Sequence, residues 1–480
     1  MIFVHARRHR LAIPIAVLIL LIIGLSYRGV AIPDQSSWSK WTSPSPAPSP
    51  GGAPPPSPPA ATPELPKDYL QEEPDSDWCE ERYGLKYLEN ARDSADSYCK
   101  PGSSSSFHCF WSSTADNRND AMCYGRGAVY DAEKRRWRLN CDWKTPSEEE
   151  LEKGAHDVPK DLTRYWYNTG PGHVMHYVKE DRPKGVVDTK GRKTILLKRE
   201  GAGNVWHCLM EIIALAYTVD ILQISVDPDT KEPFLTAKDG ENAQVVVLDD
   251  QPDGPFFDLW KLFAKLPIRR IGNLTEDEPP TDIILPFAGG SNTLWQGDWT
   301  PHGCRDSPLV KTFARRALAL YGVKRQTRGD DVVVTFVKRT GTRSLHNETE
   351  LLEAARAVIP NMKLNEVDFA TMKFKEQLEV VQKTDLLAGV HGAGLTHTMF
   401  LPRGSATLEI LPDDFFHKGF RNLAQIMGNG YFSTHGKVPG GADSDWQNNA
   451  VEIEEDKFVE ALREAVRSLY NNGMRSHDAV

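Results

Sequence analysis

Asp385-Leu-Leu-Ala-Gly-Val-His-Gly-Ala-Gly-Leu395 is a short apolar run that stops at a glycine-rich turn before a helical pattern resumes. Four to eight buried residues bounded by turn signals read as a strand from a sheet covered on both faces. The turn beyond it has the make-up of an anion cradle. In doubly wound sheets ligands sit past the carboxyl ends of the strands, and glycines let backbone N–H groups approach a phosphate at the next helix N-terminus. His391 stands at the rim of this cradle, with Gly392, Ala393 and Gly394 forming its wall.

On either side the same pattern repeats. Val332–Val337 and Thr407–Leu411 read as further buried strands, alternating with helices near Glu348–Val358, Lys373–Lys383 and Arg421–Met427. Upstream, Thr194–Lys198, Gln244–Leu248 and Ile283–Phe287 read as strands, with helices over Asn204–Val219 and Phe256–Leu266. Strands alternating with amphipathic helices predict an α/β fold with parallel sheets. Two such units predict two Rossmann-like lobes facing a cleft, the arrangement called GT-B. A last amphipathic segment, Lys457 to Tyr470, is expected to pack back across the first lobe.

The N-terminal sixty residues are different in kind. Arg7, Arg8 and Arg10 precede an apolar run from Leu11 to Tyr27. That is long enough to span a bilayer, and positive charge before it predicts a cytosolic tail and a lumenal remainder. Residues 43–66 hold eleven prolines among Ser, Ala and Gly, which cannot bury a core and predicts an extended stalk. The expected order is therefore a tail over 1–10, a membrane anchor over 11–27 and a stalk over 28–75. A Cys-rich segment over 76–145 should decorate a first lobe over 146–310. A second lobe then covers 311–435, followed by a tail over 436–480.

This organisation places the chain in the Golgi or endoplasmic reticulum membrane as a single-pass type II protein. The cysteines agree with an oxidising lumen. Cys79, Cys99, Cys109, Cys123, Cys141, Cys208 and Cys304 include no CxxC pair, so disulfides are expected rather than structural zinc, with one thiol left over. Asn273 and Asn347 head N-glycosylation sequons, Asn273-Leu-Thr275 and Asn347-Glu-Thr349. A formal net charge of -9 excludes a large basic surface for nucleic acid.

Candidate chemistry gathers at strand ends. Val334-Thr-Phe-Val-Lys-Arg-Thr-Gly-Thr-Arg-Ser-Leu-His-Asn-Glu348 sets Lys338, Arg339 and Arg343 just past a strand on the edge that carries His391. Guanidinium groups there suit a nucleotide diphosphate, whose oxygens they pair and whose departure they stabilise. Glu409, in Ser405-Ala-Thr-Leu-Glu-Ile-Leu-Pro412, is placed to accept hydrogen bonds from a ribose. Asp227-Pro-Asp229, Asp249-Asp250 and Asp413-Asp414 look like metal motifs, but Asp-Pro-Asp after a strand is a turn sequence. No metal and no cofactor is expected. The HGAG stretch also brings a serine hydrolase to mind, yet no G-x-S-x-G elbow occurs in the chain.

Lys338-Arg339 through Asn347-Glu348, Val390-His-Gly-Ala-Gly-Leu395, Phe400-Leu-Pro-Arg-Gly404 and Leu408-Glu-Ile-Leu-Pro412 together resemble glycosyltransferase family 61 in order and spacing. Gly203-Asn-Val-Trp-His-Cys-Leu-Met-Glu211 and Phe257-Asp-Leu-Trp-Lys-Leu262 resemble further family stretches. The resemblance implies an inverting enzyme. Its donor would be a UDP-sugar, with N-acetylglucosamine or xylose foremost, and its acceptor a hydroxyl of a secretory-pathway glycoprotein or glycan. By the resemblance Asn204 joins the donor-binding set. His207 and Glu211, four apart on one helix face, are both candidates for the base that inverting transfer needs. The competing reading is a membrane-tethered lectin or scaffold that keeps the fold without catalysis.

Overall fold

The computed structural model describes residues 63–70, 74–115, 118–180, 187–325, 329–439, 445 and 447–470. The expected anchor over 11–27 and most of the stalk lie outside the described residues. Among the described residues one helix, Val205–Ile224, is long and apolar enough to cross a membrane. It is buried almost throughout, which makes it the central helix of the protein core.

Two sheets organise the chain. The strands of the first are β1 (Asp96–Ser97), β2 (Ser106–Ala115), β3 (Arg118–Asp131), β4 (Arg136–Leu139), β5 (Val178–Glu180), β6 (Lys193–Leu197), β7 (Ala243–Val247), β8 (Arg269–Arg270) and β9 (Thr281–Leu285). They run in the order β1-β2-β3-β9-β6-β7-β8, with β4 beside β3 and β5 beside β4. The second sheet holds β10 (Val332–Val337), β11 (Met362–Val367), β12 (Leu386–Val390), β13 (Ala406–Pro412) and β14 (Gly430–Gly436). Its order is β11-β10-β12-β13-β14, every pairing parallel. The α/β expectation therefore holds, and the strands read from buried apolar runs lie where the sequence put them to within two residues.

Each sheet has one topological switch point, where the chain reverses its direction of winding. In the second sheet it falls between β10 and β12, whose carboxyl ends lead into Lys338-Arg339 and His391-Gly392. In the parallel part of the first it falls between β6 and β9, whose ends lead into Arg199-Glu200 and Ala288-Gly289. Buried apolar residues from both units form one core. Trp206 packs edge-on against Phe420 at 5.6 Å, and Phe256 against Phe374 at 5.0 Å.

Three expectations need correction. Residues 76–145 do not merely decorate the first lobe: β3 pairs antiparallel with β9 and so extends its sheet. The pairing is secured by buried Asp282 of β9, which accepts from Tyr124 Oη at 2.8 Å, the Gly127 N–H at 3.0 Å and Lys193 Nζ at 2.7 Å. The helix expected over Phe256–Leu266 is a 3-10 turn over Phe257–Leu262. It ends because the N–H groups of Lys265 and Leu266 donate to the carbonyls of Gly240 and Ala243 instead of continuing the helix. The last helix, Glu455–Leu469, lies on the second sheet, not across the first lobe. Its apolar face, with Phe458, Leu462 and Val466, closes a core with Val334, Phe336, Leu352 and Leu408.

Disulfides join Cys79 to Cys304, Cys99 to Cys141 and Cys109 to Cys123. Cys208 is the remaining thiol; it is buried, and burial pushes its pKa up to about 12. Asn273 and Asn347 are both exposed.

Candidate active site

The turn after β12 is shaped by close contacts. A Cβ on Gly394 would lie 2.7 Å from Val337 Cγ1, and one on Gly392 would lie 1.9 Å from Arg339 Nη1. Glycine at 392 thus lets the Arg339 guanidinium rest against the backbone at the switch point. Among the described residues Arg339 bonds to neutral oxygens only, with Nε donating to the Thr342 carbonyl at 2.8 Å and Nη2 to Thr342 Oγ1 at 3.1 Å. Burial, and then the neighbouring Arg343, lower its pKa to about 10. Burial lowers Arg343 as well. Two half-buried cations thus lie together at this strand end.

Beside them lies a cavity of about 470 Å³ lined from both units. Gly203, Val205 and Phe256 come from one side, and Arg339, Thr340, Asp368, Ala393 and Gly394 from the other. His391, Gly392, Ala393 and Gly394 are brought together with Arg339 and Arg343, as the strand-end argument requires.

Lys338 and Glu409 are placed differently. Lys338 Nζ lies 3.2 Å from Glu348 and 3.0 Å from Glu366, so its charge is neutralised locally. Glu409 is fully buried. Its Oε1 lies 2.5 Å from His391 Nδ1 and its Oε2 accepts from Tyr431 Oη at 2.5 Å, and with no exposed surface it does not face a ribose. In register it sits opposite Gly389, which lacks a side chain, so the carboxylate reaches across β12 toward the histidine. Glu409 therefore orients His391. Burial lowers the pKa of that histidine, with Glu409 acting in the opposite sense.

On the first sheet the loop Lys198-Arg-Glu-Gly-Ala-Gly-Asn204 connects β6 to the central helix. Asn204 is its N-cap, with Oδ1 accepting from the N–H of Trp206 at 3.0 Å and of His207 at 3.4 Å. A cap of this kind stabilises a helix by roughly 1 kcal/mol, and it accounts for Asn204 structurally. His207 Nδ1 is hydrogen-bonded to Glu200, a carboxylate that the sequence reading passed over.

The two base candidates take different partners, His207 the Glu200 carboxylate and Glu211 the Glu200 N–H. Glu211 turns inward beneath Gly289, where Oε1 accepts from the Glu200 N–H at 2.6 Å and Oε2 has no partner among the described residues. Burial raises its pKa well above the usual carboxylate range. The ring of His207 remains partly open to solvent and meets Trp295 edge-on at 4.6 Å. The signal for Glu200 was available: a glycine-bearing strand-to-helix loop, the same pattern that revealed His391.

One member of each Asp pair is taken up by the fold. Asp227 is fully buried, paired with Arg126, and accepts from the N–H of Asp229 at 2.8 Å in a turn. Asp249 holds Arg199 at 2.8 Å. Asp414 occupies a left-handed turn position at φ 61°.

Comparison with known proteins fits this geometry. The family described as Glycosyltransferase 61 matches residues 241–408. The EGF domain-specific O-linked N-acetylglucosamine transferase of Drosophila melanogaster is 24% identical over 242 residues, covering 50% of this chain and 44% of that protein. The bovine (Bos taurus) protein of the same name is 31% identical over 111 residues, covering 22% of this chain and 21% of its own. The chain thus spans less than half the length of these relatives. A mutant flavo di-iron protein from Thermotoga maritima aligns at TM-score 0.22 and 9% identity, over 79% of this chain and 99% of its own, too low a score to indicate a shared fold. The matched segment holds Arg339, Arg343 and the turn from His391 to Gly394, the residues that the second sheet assembles at its switch point, and through it this part of the chain is similar to glycosyltransferase family 61.

Proposed function

We propose that this protein is an inverting glycosyltransferase of GT-B architecture that moves a sugar from a UDP-sugar to a hydroxyl of a secretory-pathway glycoprotein or glycan. The observation that carries the reading is the pair of half-buried guanidinium groups, Arg339 and Arg343, at the switch point beside the HGAG turn. A leaving UDP develops negative charge on its diphosphate, and donors already in place stabilise it without reorganising. Protein cations, Arg339 and Arg343, rather than a divalent metal take that role in this reading.

His207 is the base. Glu200 holds Nδ1, which orients the ring, leaves Nε2 to accept a proton and stabilises the imidazolium once formed. The acceptor oxygen forms its bond to the anomeric carbon as the bond to UDP breaks on the opposite face; the proton passes to His207 and the electron pair to the diphosphate. Glu211, whose pKa burial raises, holds the loop that carries Glu200 by accepting from its N–H. The relatives' printed name favours N-acetylglucosamine over xylose as the donor sugar. The basic-flanked apolar run at 11–27 and the three disulfides suit a type II membrane protein of the Golgi or endoplasmic reticulum.

The test is calorimetric titration of the full-length chain with UDP, UDP-N-acetylglucosamine and UDP-xylose, with and without a divalent ion. Metal-independent binding that weakens at least tenfold in Arg339→Ala is the expected result. A folded chain that binds none of the three is a scaffold instead.

A further inference from the structure

Around the His207 ring the chain builds an aromatic corner that the reaction as described does not use. Trp166 is 56% exposed and Tyr167 64% exposed, and Trp166 stacks on Trp295 with centroids 5.9 Å apart and planes 24° from parallel. Trp295 in turn meets His207 at 4.6 Å, and Tyr167 lies 6.2 Å from it. We infer that Trp166, Tyr167 and Trp295 form the platform on which a pyranose ring of the acceptor stacks, so that the hydroxyl receiving the transferred sugar belongs to a saccharide. The inference rests on the transferase reading and specifies its acceptor.

The corner is built rather than incidental. Tyr167 and Asn168 both adopt left-handed backbone conformations, at φ 55° and 59°. For a bulky residue such as Tyr this is a costly state that persists only where its surroundings impose it, and such states gather at binding sites. Beneath the surface, buried Asp120 ties the two sides together: it accepts from Tyr165 Oη and, at 2.9 Å, from Gln296 Nε2, the residues next to Trp166 and Trp295. Gly290 provides room, since a Cβ there would lie 2.6 Å from Tyr165 and 3.0 Å from Trp166.

The chemistry selects the occupant. The C–H face of a pyranose fits an exposed indole, while its hydroxyl rim projects sideways toward a hydrogen-bonding group such as His207. The charges around it are already paired, Asp120 with Arg118 at 3.2 Å and Glu200 with His207 Nδ1, so the surface suits a neutral ligand. Trp166–Asn168 is a 3-10 turn and Thr293–Gln296 a single helical turn; neither offers a strand edge for a peptide to pair with.

The experiment uses the full-length chain and three variants, Trp166→Ala, Trp166→Phe and Tyr167→Ala. Saturation-transfer NMR with the methyl pyranosides of mannose, galactose and glucose, in the presence of UDP, reads the platform directly. Transfer from UDP-N-acetylglucosamine to the same pyranosides, and to a folded EGF-like domain bearing serine and threonine, reads its use. The expected result is saturation of pyranose C–H protons, lost in Trp166→Ala and largely kept in Trp166→Phe. In the transfer assay KM for the pyranoside should rise about tenfold in Trp166→Ala, with kcat within about twofold and UDP affinity unchanged. Unaltered KM in Trp166→Ala overturns the inference. So does transfer to the protein domain alone with no pyranoside saturation. Failure of the native chain to bind UDP would sink the transferase reading instead, and the NMR arm would still decide the platform.

Discussion

A single methyl group at position 392 should separate the proposed donor-binding role of the Arg339 guanidinium from the stability of the fold. In Gly392→Ala the new Cβ would fall 1.9 Å from Nη1 and 2.9 Å from Cζ of Arg339, against an ordinary contact of about 3.4 Å, so the guanidinium must retreat by about 1.5 Å. The backbone does not resist the change: φ 162° and ψ 172° at this residue are extended values that alanine adopts freely. What yields is the tip of a flexible side chain. A charge-assisted hydrogen bond contributes ~1.5–3 kcal/mol, so its loss should weaken UDP binding by about ten- to a hundredfold. Gly394→Ala is the matched control. Its Cβ would meet Val337 Cγ1 at 2.7 Å, and a β-branched strand residue has no free end to swing away, so overpacking should cost ~1–3 kcal/mol of stability. Calorimetric titration with UDP and thermal unfolding of both variants form the assay. The reasoning is refuted if Gly392→Ala binds UDP like the native chain, or if it loses as much stability as Gly394→Ala.

Other consequences follow from the buried groups. Glu200→Gln keeps a hydrogen bond to His207 but removes the charge that stabilises its imidazolium, so kcat should fall by ~10²-fold or more with UDP affinity unchanged; equal loss of both would refute the dyad. Burial depresses His302 to about 4, so the unfolded chain takes up a proton near pH 6.5 that the native one refuses. Its contribution is therefore complete above pH 6.5 and is lost as pH falls, by ~2 kcal/mol between pH 7 and 5. His302→Phe, which keeps the ring beside Tyr83, should flatten the urea-unfolding stability over that range by this amount; an unchanged slope would contradict the assignment. Cys208 should resist maleimide at pH 7.5 in the native chain and react only in urea, as intact-mass analysis would show.

The sequence disclosed the parallel strands because each is a continuous apolar run that both faces of a covered sheet demand, and Val332–Val337 and Leu386–Val390 have the bounds expected. The strands it concealed are those without such runs: β11 is Met-Lys-Leu-Asn-Glu-Val, half-buried at an edge, and β14 is Gly-Tyr-Phe-Ser-Thr-His-Gly. In the site, the glycine turn and the two arginines were legible from local pattern. Glu409 was not. Its partners His391 and Tyr431 come from neighbouring strands, and register is a tertiary fact. Trp295 likewise reaches His207 only because β6 and β9 are adjacent, whereas Glu200 lies in the loop just before it. The interior position of Glu211 depends on Gly289, nearly eighty residues away.

The position of β9 bears on how this protein can be cut for expression. β9 lies between β3 and β6, and β7 beside β6, whereas the segment that matches the family, 241–408, contains neither β3 nor β6. Excised at those limits, β9 would have no partner on either side, and the apolar Val205–Ile224 helix would be missing from beneath both sheets. The span that sequence comparison recognises is therefore not a unit that folds. A soluble fragment has to begin before Cys79, whose bond to Cys304 secures the helix Asp77–Tyr83, and to continue through Leu469, where the helix Glu455–Leu469 completes the second core.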